Sequence, residues 1–226
     1  MKPIIGIIAR VEYPGETGKL VLNERYRRTI IKYGGNPIMI LPPQNIDYTV
    51  VKTSDQEELT KEQKNMLITQ IKLCDGILMT GGFKTNNYDR FITEYAIEND
   101  IPILGICLGM QIMSCYKKEL KLVKNESFIT HRREDGDCFH KVILDKKSKL
   151  FSIVNESRFV VNSRHNYHAE PNDKFDVVAV SDDHIIEAIE MKDKKFVIGV
   201  QWHPEDMDDE TSKKLFEYYI NCCKNK

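Results

Sequence analysis

Residues 105–111 read G-I-C-L-G-M-Q and join a short apolar run to a segment that favours a helix. The cysteine lies between two glycines in the pattern G-x-C-x-G, which is typical of a nucleophile held at a sharp turn between a strand and a helix. Small neighbours allow the strained backbone of such a turn. We therefore predict that a strand ends at Ile106 and that Cys107 is a nucleophile. The competing interpretation is a cysteine buried for packing, which is a common fate of free cysteines.

Short apolar runs alternate with amphipathic stretches through the first half of the chain. The runs predict buried strands at residues 4–9, 37–41, 76–79 and 101–106. The stretches predict helices at residues 22–33, 54–73 and 88–98. Ser54 is expected to cap the second of these helices. Such alternation is typical of a parallel sheet with right-handed crossovers.

The second half has shorter connections between its apolar runs. Strands are predicted at residues 138–144, 158–161, 175–180, 185–191 and 196–200, and a closing helix at 209–222. The short connections predict antiparallel pairing or a mixed sheet. We therefore predict a single α/β domain over residues 1–226. Its central sheet is mostly parallel and flanked by helices, with an additional antiparallel portion in the second half.

Composition excludes several classes of protein. The 226 residues carry 33 Lys and Arg against 34 Asp and Glu, which gives a formal net charge of −1. This balance predicts neither a nucleic-acid partner nor attachment to a membrane surface. Every apolar run is shorter than the roughly 20 residues of a membrane-spanning helix. The six cysteines form no C-x-x-C pair, and we expect a reducing, cytoplasmic setting.

Two further motifs follow predicted strands. Residues 199–205 read G-V-Q-W-H-P-E, so that His203 is a candidate general base and Glu205 a candidate partner for the other ring nitrogen. An isolated His-x-Glu pair would more often have a surface or packing role. Residues 80–82 read T-G-G, and a glycine N–H there is a candidate to bind an oxyanion together with the N–H of Leu108. The carboxyl ends of parallel strands collect ligands at one edge of the sheet.

These three motifs, in this order, resemble the class I glutamine amidotransferase superfamily. The segments V-N-S-R-H at 161–165 and I-E-A-I-E at 186–190, with His131 and His140, narrow the resemblance to its stand-alone γ-glutamyl hydrolase branch, peptidase family C26. That branch includes γ-glutamyl-γ-aminobutyrate hydrolase. Residues 3–7 and 33–37 fit it as well, and the resemblance extends from residue 3 to about residue 220.

The resemblance implies a flavodoxin-like fold and a Cys-His-Glu triad. Cys107 would be the nucleophile that accepts the acyl group, His203 the base and then the acid, and Glu205 the residue that orients the ring. Leu108 and Gly82 would donate the two oxyanion N–H groups. The implied contacts to the γ-glutamyl group are Gly81, Gln111, Asn162, Ser163, Arg164 and His165.

The implied activity is hydrolysis of a γ-glutamyl amide, such as γ-glutamyl-γ-aminobutyrate, through a glutamyl thioester that releases an amine and then glutamate. No metal or organic cofactor is expected. Five histidines show no paired spacing typical of a metal site, namely His131, His140, His165, His168 and His184. By resemblance, His131 and His165 lie near the pocket, and the other three are interpreted as structural.

Several alternatives remain open at this point. The branch commonly has an arginine after the nucleophile, whereas Leu108 is usual in amidotransferase domains linked to synthetases. One alternative is therefore a glutaminase subunit that supplies ammonia to a separate synthetase. Segments 83–88, 116–120 and 166–167 also depart from the branch near the expected leaving amine, which allows a γ-glutamylated nucleotide or sugar as substrate. A non-catalytic binding module is a further alternative, and a homodimer is common among such folds.

Overall fold

A nine-stranded sheet organises the chain, which the computed structural model describes over residues 1–12 and 18–224. The described strands are β1 Ile4–Ile8, β2 Arg10–Glu12, β3 Lys19–Val21, β4 Asn36–Ile40, β5 Gly76–Met79, β6 Ile103–Ile106, β7 Leu122–Lys124, β8 Cys138–Leu144, β9 Arg158–Ser163, β10 Tyr167–Ala169, β11 Asp176–Ser181, β12 Ile186–Glu190 and β13 Val197–Val200. The strand order in the large sheet is β4-β1-β5-β6-β13-β12-β11-β8-β9.

The sheet has a parallel part and an antiparallel part. Strands β4, β1, β5, β6 and β13 pair in parallel, and β13, β12, β11, β8 and β9 pair in antiparallel fashion. The predicted α/β class and the antiparallel extension in the second half are therefore confirmed. The additional strands continue the same sheet beyond β13, so both parts share one core.

Six helices of the described residues cover the two faces of this sheet. They are α1 Glu24–Lys32, α2 Lys61–Lys72, α3 Asn87–Glu98, α4 Leu108–Ser114, α5 Lys149–Val154 and α6 Glu210–Lys224. Helices α1, α5 and α6 contribute to the core on one face, and α2, α3 and α4 to the core on the other. This is the layered arrangement that parallel strands with helical crossovers require. Among the described residues, no helix combines the length and the apolar character needed to cross a bilayer.

The register of the parallel strands aligns the ends of β5, β6 and β13. Met79 lies opposite Gly105, and Gly105 lies opposite Gly199. The chain therefore leaves the sheet at the same edge after each of these strands. The T-G-G, G-x-C-x-G and H-x-E motifs follow β5, β6 and β13 in that order, so this edge gathers all three.

Two predictions about the first half are wrong. Ser54 does not cap α2 but lies in a short 3-10 turn, Thr53–Asp55, where its hydroxyl donates to Asp55. Helix α2 begins after Thr60, because Thr60 and Gln63 form a reciprocal capping box. Strand β4 is not fully buried, since it forms the edge of the sheet and only Ile40 is inaccessible. Sequence patterns also missed α5 and the small pairs β2–β3 and β7–β10.

We predict that Gly109→Ala destabilises the fold far more than Gly199→Ala. A Cβ atom at Gly109 would lie 2.1 Å from the Met79 carbonyl oxygen, which is fixed backbone, whereas at Gly199 it would meet the flexible Met110 side chain at 2.9 Å. The expected loss in the free energy of unfolding is about 3 kcal/mol or more for Gly109→Ala and about 1–2 kcal/mol for Gly199→Ala. Urea denaturation of both variants measures these losses. Equal losses would contradict the tight contact between α4 and β5.

Candidate active site

Cys107 occupies a strained turn between β6 and α4. Its backbone has φ 53° and ψ −108°, a conformation that costs a residue with a side chain about 1–3 kcal/mol. The turn is fixed on both sides, because Cys107 N–H donates to the Val200 carbonyl at 2.8 Å and Gln111 N–H donates to the Cys107 carbonyl at 3.1 Å. The strand-turn-helix geometry predicted from G-x-C-x-G is confirmed. The side chain is 8% exposed, so the thiol faces a nearly closed site.

His203 and Glu205 form a buried pair after β13. The His203 Nδ1 atom lies 2.7 Å from Glu205 Oε1. Asn162 fixes the backbone of the histidine from both sides, since its Oδ1 accepts from His203 N–H at 2.9 Å and its Nδ2 donates to the His203 carbonyl at 3.0 Å. The ring is therefore held at its backbone by β9 and at its side chain by Glu205.

Electrostatics keep the His203 ring charged. Burial alone would lower the pKa of His203, but the carboxylate of Glu205 and the thiolate of Cys107 outweigh it and raise this pKa to about 10. Because Nδ1 contacts Glu205, the Nε2 atom is the ring nitrogen available to Cys107 Sγ. A thiolate beside an imidazolium is the ion pair that an activated cysteine requires.

Gly81 brings the three motifs into contact. A Cβ atom at this position would lie 3.0 Å from His203 Cε1 and 3.5 Å from Cys107 Cβ, so the glycine fills the space between these residues. Its N–H donates to the Tyr26 hydroxyl at 2.9 Å. Burial and the nearby charge of Glu205 together raise the pKa of the Tyr26 phenol.

A buried ion pair supports the turn that contains Gly81 and Gly82. Arg10 Nη1 lies 2.6 Å from Asp89 Oδ1, while Nη2 and Nε donate to the carbonyl and hydroxyl of Thr80 at 2.9 and 3.0 Å. Sequence reasoning missed Arg10, Asp89 and Tyr26. The signal for Arg10 was a charged residue almost directly after a buried strand, at the edge where the other motifs gather.

The side chains expected to contact a γ-glutamyl group have internal partners instead. Gln111 Nε2 donates to the Tyr167 carbonyl at 2.9 Å and to Gln201 Oε1 at 3.2 Å. Both ends of Asn162 hold His203, as described above. These two side chains therefore hold neighbouring parts of the site in place, and their contact with a γ-glutamyl group stays a prediction.

The other three side chains of the predicted binding loop also have partners within the protein. Ser163 is buried and its hydroxyl donates to the His131 carbonyl at 2.8 Å. Arg164 forms ion pairs with Asp137 and Asp206. His165 turns its ring toward Glu187. Contacts from this loop to a ligand would therefore come from backbone atoms.

The structure also assembles a group that the sequence spacing did not indicate. His131, His140, His165 and Glu187 are all buried, and one nitrogen or oxygen atom from each lies within 4.8 Å of the others. The spacing of these histidines in the sequence did not indicate a metal site, because the residues that meet here come from distant parts of the chain. This set could hold a metal ion.

Comparison with solved structures defines the class of fold. The glutaminase domain of Trypanosoma brucei CTP synthase, solved with bound acivicin, matches with a TM-score of 0.67 over 99% of this chain and 94% of that chain, at 17% sequence identity. The architecture is that of a class I glutamine amidotransferase, as the motifs predicted. A sequence identity of 17% supports a shared fold but does not support a shared activity.

The chain belongs to the peptidase C26 family, whose family model matches residues 83–205. The Schizosaccharomyces pombe protein named "Putative glutamine amidotransferase PB2B2.05" is 32% identical over 215 residues, which cover 88% of this chain and 81% of that protein. The γ-glutamyl-γ-aminobutyrate hydrolase PuuD of Escherichia coli is 28% identical and covers 99% of this chain and 94% of its own length. By family, the protein is a glutamine amidotransferase-like hydrolase.

The chain also matches much longer proteins over part of their length. CTP synthase of Levilactobacillus brevis is 27% identical over 210 residues, which cover 77% of this chain and only 37% of the synthase. The chain therefore spans little more than a third of that relative.

We predict that Glu205→Gln lowers the pKa of His203 toward its ordinary value of 6.5, because burial then acts without the opposing carboxylate. The wild-type pair contributes to stability fully below pH 6.5 and loses this contribution as the pH rises through about 10. NMR titration of the ring, assigned by its absence in His203→Asn, measures the pKa. Glu210→Gln, at the start of α6, is the control and should leave it unchanged. A wild-type pKa in Glu205→Gln would contradict the pairing.

Proposed function

We propose that this protein is a cysteine hydrolase that cleaves the γ-glutamyl amide bond of a small compound whose amine carries an anionic group, such as γ-glutamyl-γ-aminobutyrate. The proposal rests on one observation above all. Cys107 stands on a strained turn beside a His203 ring that Glu205 keeps charged. A nucleophile, a proton carrier and a group that orients the carrier are what acyl transfer requires.

In the proposed first step, the Cys107 thiolate attacks the γ-carbonyl carbon and a carbon–sulfur bond forms. The oxygen becomes an oxyanion, which we expect the N–H groups of Leu108 and Gly82 to bind. The carbon–nitrogen bond then breaks as His203 gives its proton to the leaving amine. The products of this step are the free amine and a glutamyl thioester on Cys107.

In the second step, His203 is neutral and takes a proton from water as the water attacks the thioester carbon. The carbon–sulfur bond breaks, glutamate leaves, and the thiolate-imidazolium pair is restored. Glu205 stabilises the charged ring in both steps and does not itself change protonation. All six cysteines, each within the described residues, are free thiols. Six free thiols are typical of a reducing compartment, so we propose a cytoplasmic location.

A cation beside the Gly82 turn supports an anionic leaving group. The Arg132 guanidinium carbon lies 5.4 Å from the centre of the Phe83 ring, and Phe83 is 82% exposed one residue beyond Gly82. Such a contact restrains a flexible arginine at an exposed position. It offers a positive charge where the amine would depart.

The extent of similarity favours activity without a synthetase partner. The alignment with the γ-glutamyl-γ-aminobutyrate hydrolase covers 94% of that enzyme, whereas the alignment with CTP synthase covers 37% of the synthase. A second candidate function is nevertheless supported by Leu108, which follows the nucleophile as in amidotransferase domains linked to synthetases. Under that alternative, the protein would release ammonia from glutamine for a separate enzyme.

Glutamate release from a panel of compounds tests the proposal. The panel contains glutamine, γ-glutamyl-γ-aminobutyrate, an uncharged γ-glutamyl alkylamine and a γ-glutamylated nucleotide. We expect turnover of γ-glutamyl-γ-aminobutyrate without a partner, and a loss of about 10³-fold or more in kcat for Cys107→Ser. Turnover of glutamine alone would favour the glutaminase subunit. Silence on every compound would contradict the proposed hydrolase.

Arg132→Gln tests the preference for an anionic amine. We expect this variant to raise KM for γ-glutamyl-γ-aminobutyrate about threefold to tenfold, because it removes one exposed charge contact. KM for the uncharged alkylamine should not change. Arg133→Gln is the matched control, since it removes the neighbouring charge and keeps the contact with Phe83. An equal effect of both variants on both compounds would contradict a specific role for Arg132.

A further inference from the structure

Four buried side chains meet beside the active site, where the antiparallel part of the sheet adjoins it. His131 precedes β8, His140 lies on β8, His165 follows β9 and Glu187 lies on β12. Their exposed fractions are 3%, 6%, 4% and 0%. Unpaired histidines and carboxylates are rarely buried this completely, because burial removes the water that would solvate them. Four elements bring these groups together, so their proximity is a property of the fold.

The outer nitrogen of each histidine ring faces an oxygen atom. His131 Nε2 lies 3.0 Å from Asp183 Oδ2, His140 Nδ1 lies 3.3 Å from the Lys141 carbonyl, and His165 Nδ1 lies 3.2 Å from the Tyr167 carbonyl. An N–H on each of these nitrogens satisfies an acceptor. The other nitrogen of each ring then carries a lone pair.

Two neighbouring donors also face ring nitrogens. The Asn125 amide, whose Oδ1 lies 2.9 Å from His168 Nδ1, has its Nδ2 atom 3.1 Å from His165 Nδ1 and donates to the His165 carbonyl at 3.2 Å. The Ser163 hydroxyl, 3.4 Å from His131 Nδ1, has the shorter contact of 2.8 Å to the His131 carbonyl. A metal ion on the inner nitrogens would place the N–H of His165 on Nδ1, so that the Asn125 amide would then donate to the His165 carbonyl alone.

The inner atoms of the cluster point at one another, and all but His131 Nδ1 lack a hydrogen bond. Glu187 Oε1 lies 3.5 Å from His131 Nδ1, 3.4 Å from His140 Nε2 and 3.5 Å from His165 Nε2. Within the described structure, His140 Nε2, His165 Nε2 and both Glu187 oxygens are buried without a hydrogen-bond partner. Leaving such groups unsatisfied costs about 1–3 kcal/mol each, and more for a charged one. With this assignment, three lone pairs and a carboxylate would also repel one another. A bound cation would remove this repulsion.

The spacing fits a tetrahedral metal ion better than a proton. With metal–ligand bonds of about 2.0–2.1 Å, the ligand atoms of a tetrahedron lie about 3.3–3.4 Å apart. The three distances to Glu187 Oε1 are close to this value, whereas the four ligand atoms as a set lie within 4.8 Å of one another, so that metal binding would draw the histidine rings closer together. A proton on Glu187 would satisfy only one of the three nitrogens. The outer contacts to Asp183 and to two carbonyls are those that metal-binding histidines usually make.

We propose that His131, His140, His165 and Glu187 bind one Zn²⁺ ion. Three imidazole nitrogens and one carboxylate oxygen are a donor set that suits zinc, and four protein ligands leave no open position for a substrate. The site is therefore structural, and it is separate from the Cys107 chemistry.

The zinc site would hold the wall of the active site in place. The His131 carbonyl accepts from Ser163 Oγ at 2.8 Å and from His165 N–H at 3.1 Å, which ties its loop to the end of β9. On the same strand, Asn162 holds the backbone of His203. The Glu187 carbonyl accepts from Gln201 N–H at 2.8 Å, just before His203. The carbonyl groups of two ligands thus hold Ser163, which is next to Asn162, and Gln201, which is two residues before His203.

Metal analysis of the full chain, purified without a histidine tag, tests the proposal. We expect about one equivalent of zinc per chain by mass spectrometry of the elements. Removal of the metal by a chelator should lower Tm, and added Zn²⁺ should restore it. A protein that is isolated without zinc, takes up none and keeps the same Tm in its presence would overturn the proposal. These readouts are independent of activity, so they stand even if the proposed hydrolase activity fails.

Two variants and a metal replacement separate this site from adventitious surface binding. Asp183→Asn leaves all four ligands in place and is expected to lower zinc affinity about 10–100-fold, because it weakens the contact that orients His131. His184→Asn is the matched control, since His184 is exposed and has φ 67°, which asparagine tolerates. Co²⁺ in the wild-type site should give the intense visible absorption of tetrahedral cobalt. Equal affinities in both variants, or an octahedral cobalt spectrum, would contradict the site.

Discussion

The register of three neighbouring parallel strands determines the rest of this site. Met79, Gly105 and Gly199 lie side by side on β5, β6 and β13, so the chain leaves the sheet at one level after each strand. A slip of one residue would turn every side chain of a strand to the opposite face. The small residues after these strands then allow the close approach that the site needs. Gly81 fits between Cys107 and His203 because it has no side chain of its own.

The charges of the site follow from this close packing. A buried histidine would ordinarily be neutral, yet Glu205 and Cys107 keep His203 protonated to about pH 10. A charged ring beside Cys107 is the kind of neighbour that favours a thiolate over a thiol. The arrangement depends on the histidine being fixed, which Asn162 achieves through the backbone. Preorganisation of this kind is a large source of rate acceleration in acyl transfer.

The antiparallel strands contribute more than an extension of the sheet. Strand β9 supplies Asn162 to His203 and, one residue later, Ser163 to the loop that carries His131. Strand β12 carries Glu187 into the histidine cluster and pairs with β13, which leads to His203. A cation in that cluster would couple the stability of this part of the sheet to the geometry of the active site.

Local patterns predicted the parallel sheet and the strand ends because both leave short-range signals in the sequence. Because each motif directly follows one of these strands, Cys107 and His203 could be predicted to lie at the same edge of the sheet. The start of α2 was missed because Ser54 and Thr60 both begin a capping-box pattern, with Glu57 and Gln63 three residues later, and only the Thr60 pattern forms in the structure. The histidine cluster could not be predicted from spacing, since its members come from separate elements. One signal was present: the alternation of β8 places His140 on its buried face.

The most direct test of the account is the mass of the intact protein after rapid mixing with γ-glutamyl-γ-aminobutyrate and an acid quench. The account predicts a transient increase equal to one glutamyl group, located on the peptide that contains Cys107 and absent in Cys107→Ser. Glutamate release with no adduct at any time, or an adduct on another residue, would contradict the thioester mechanism.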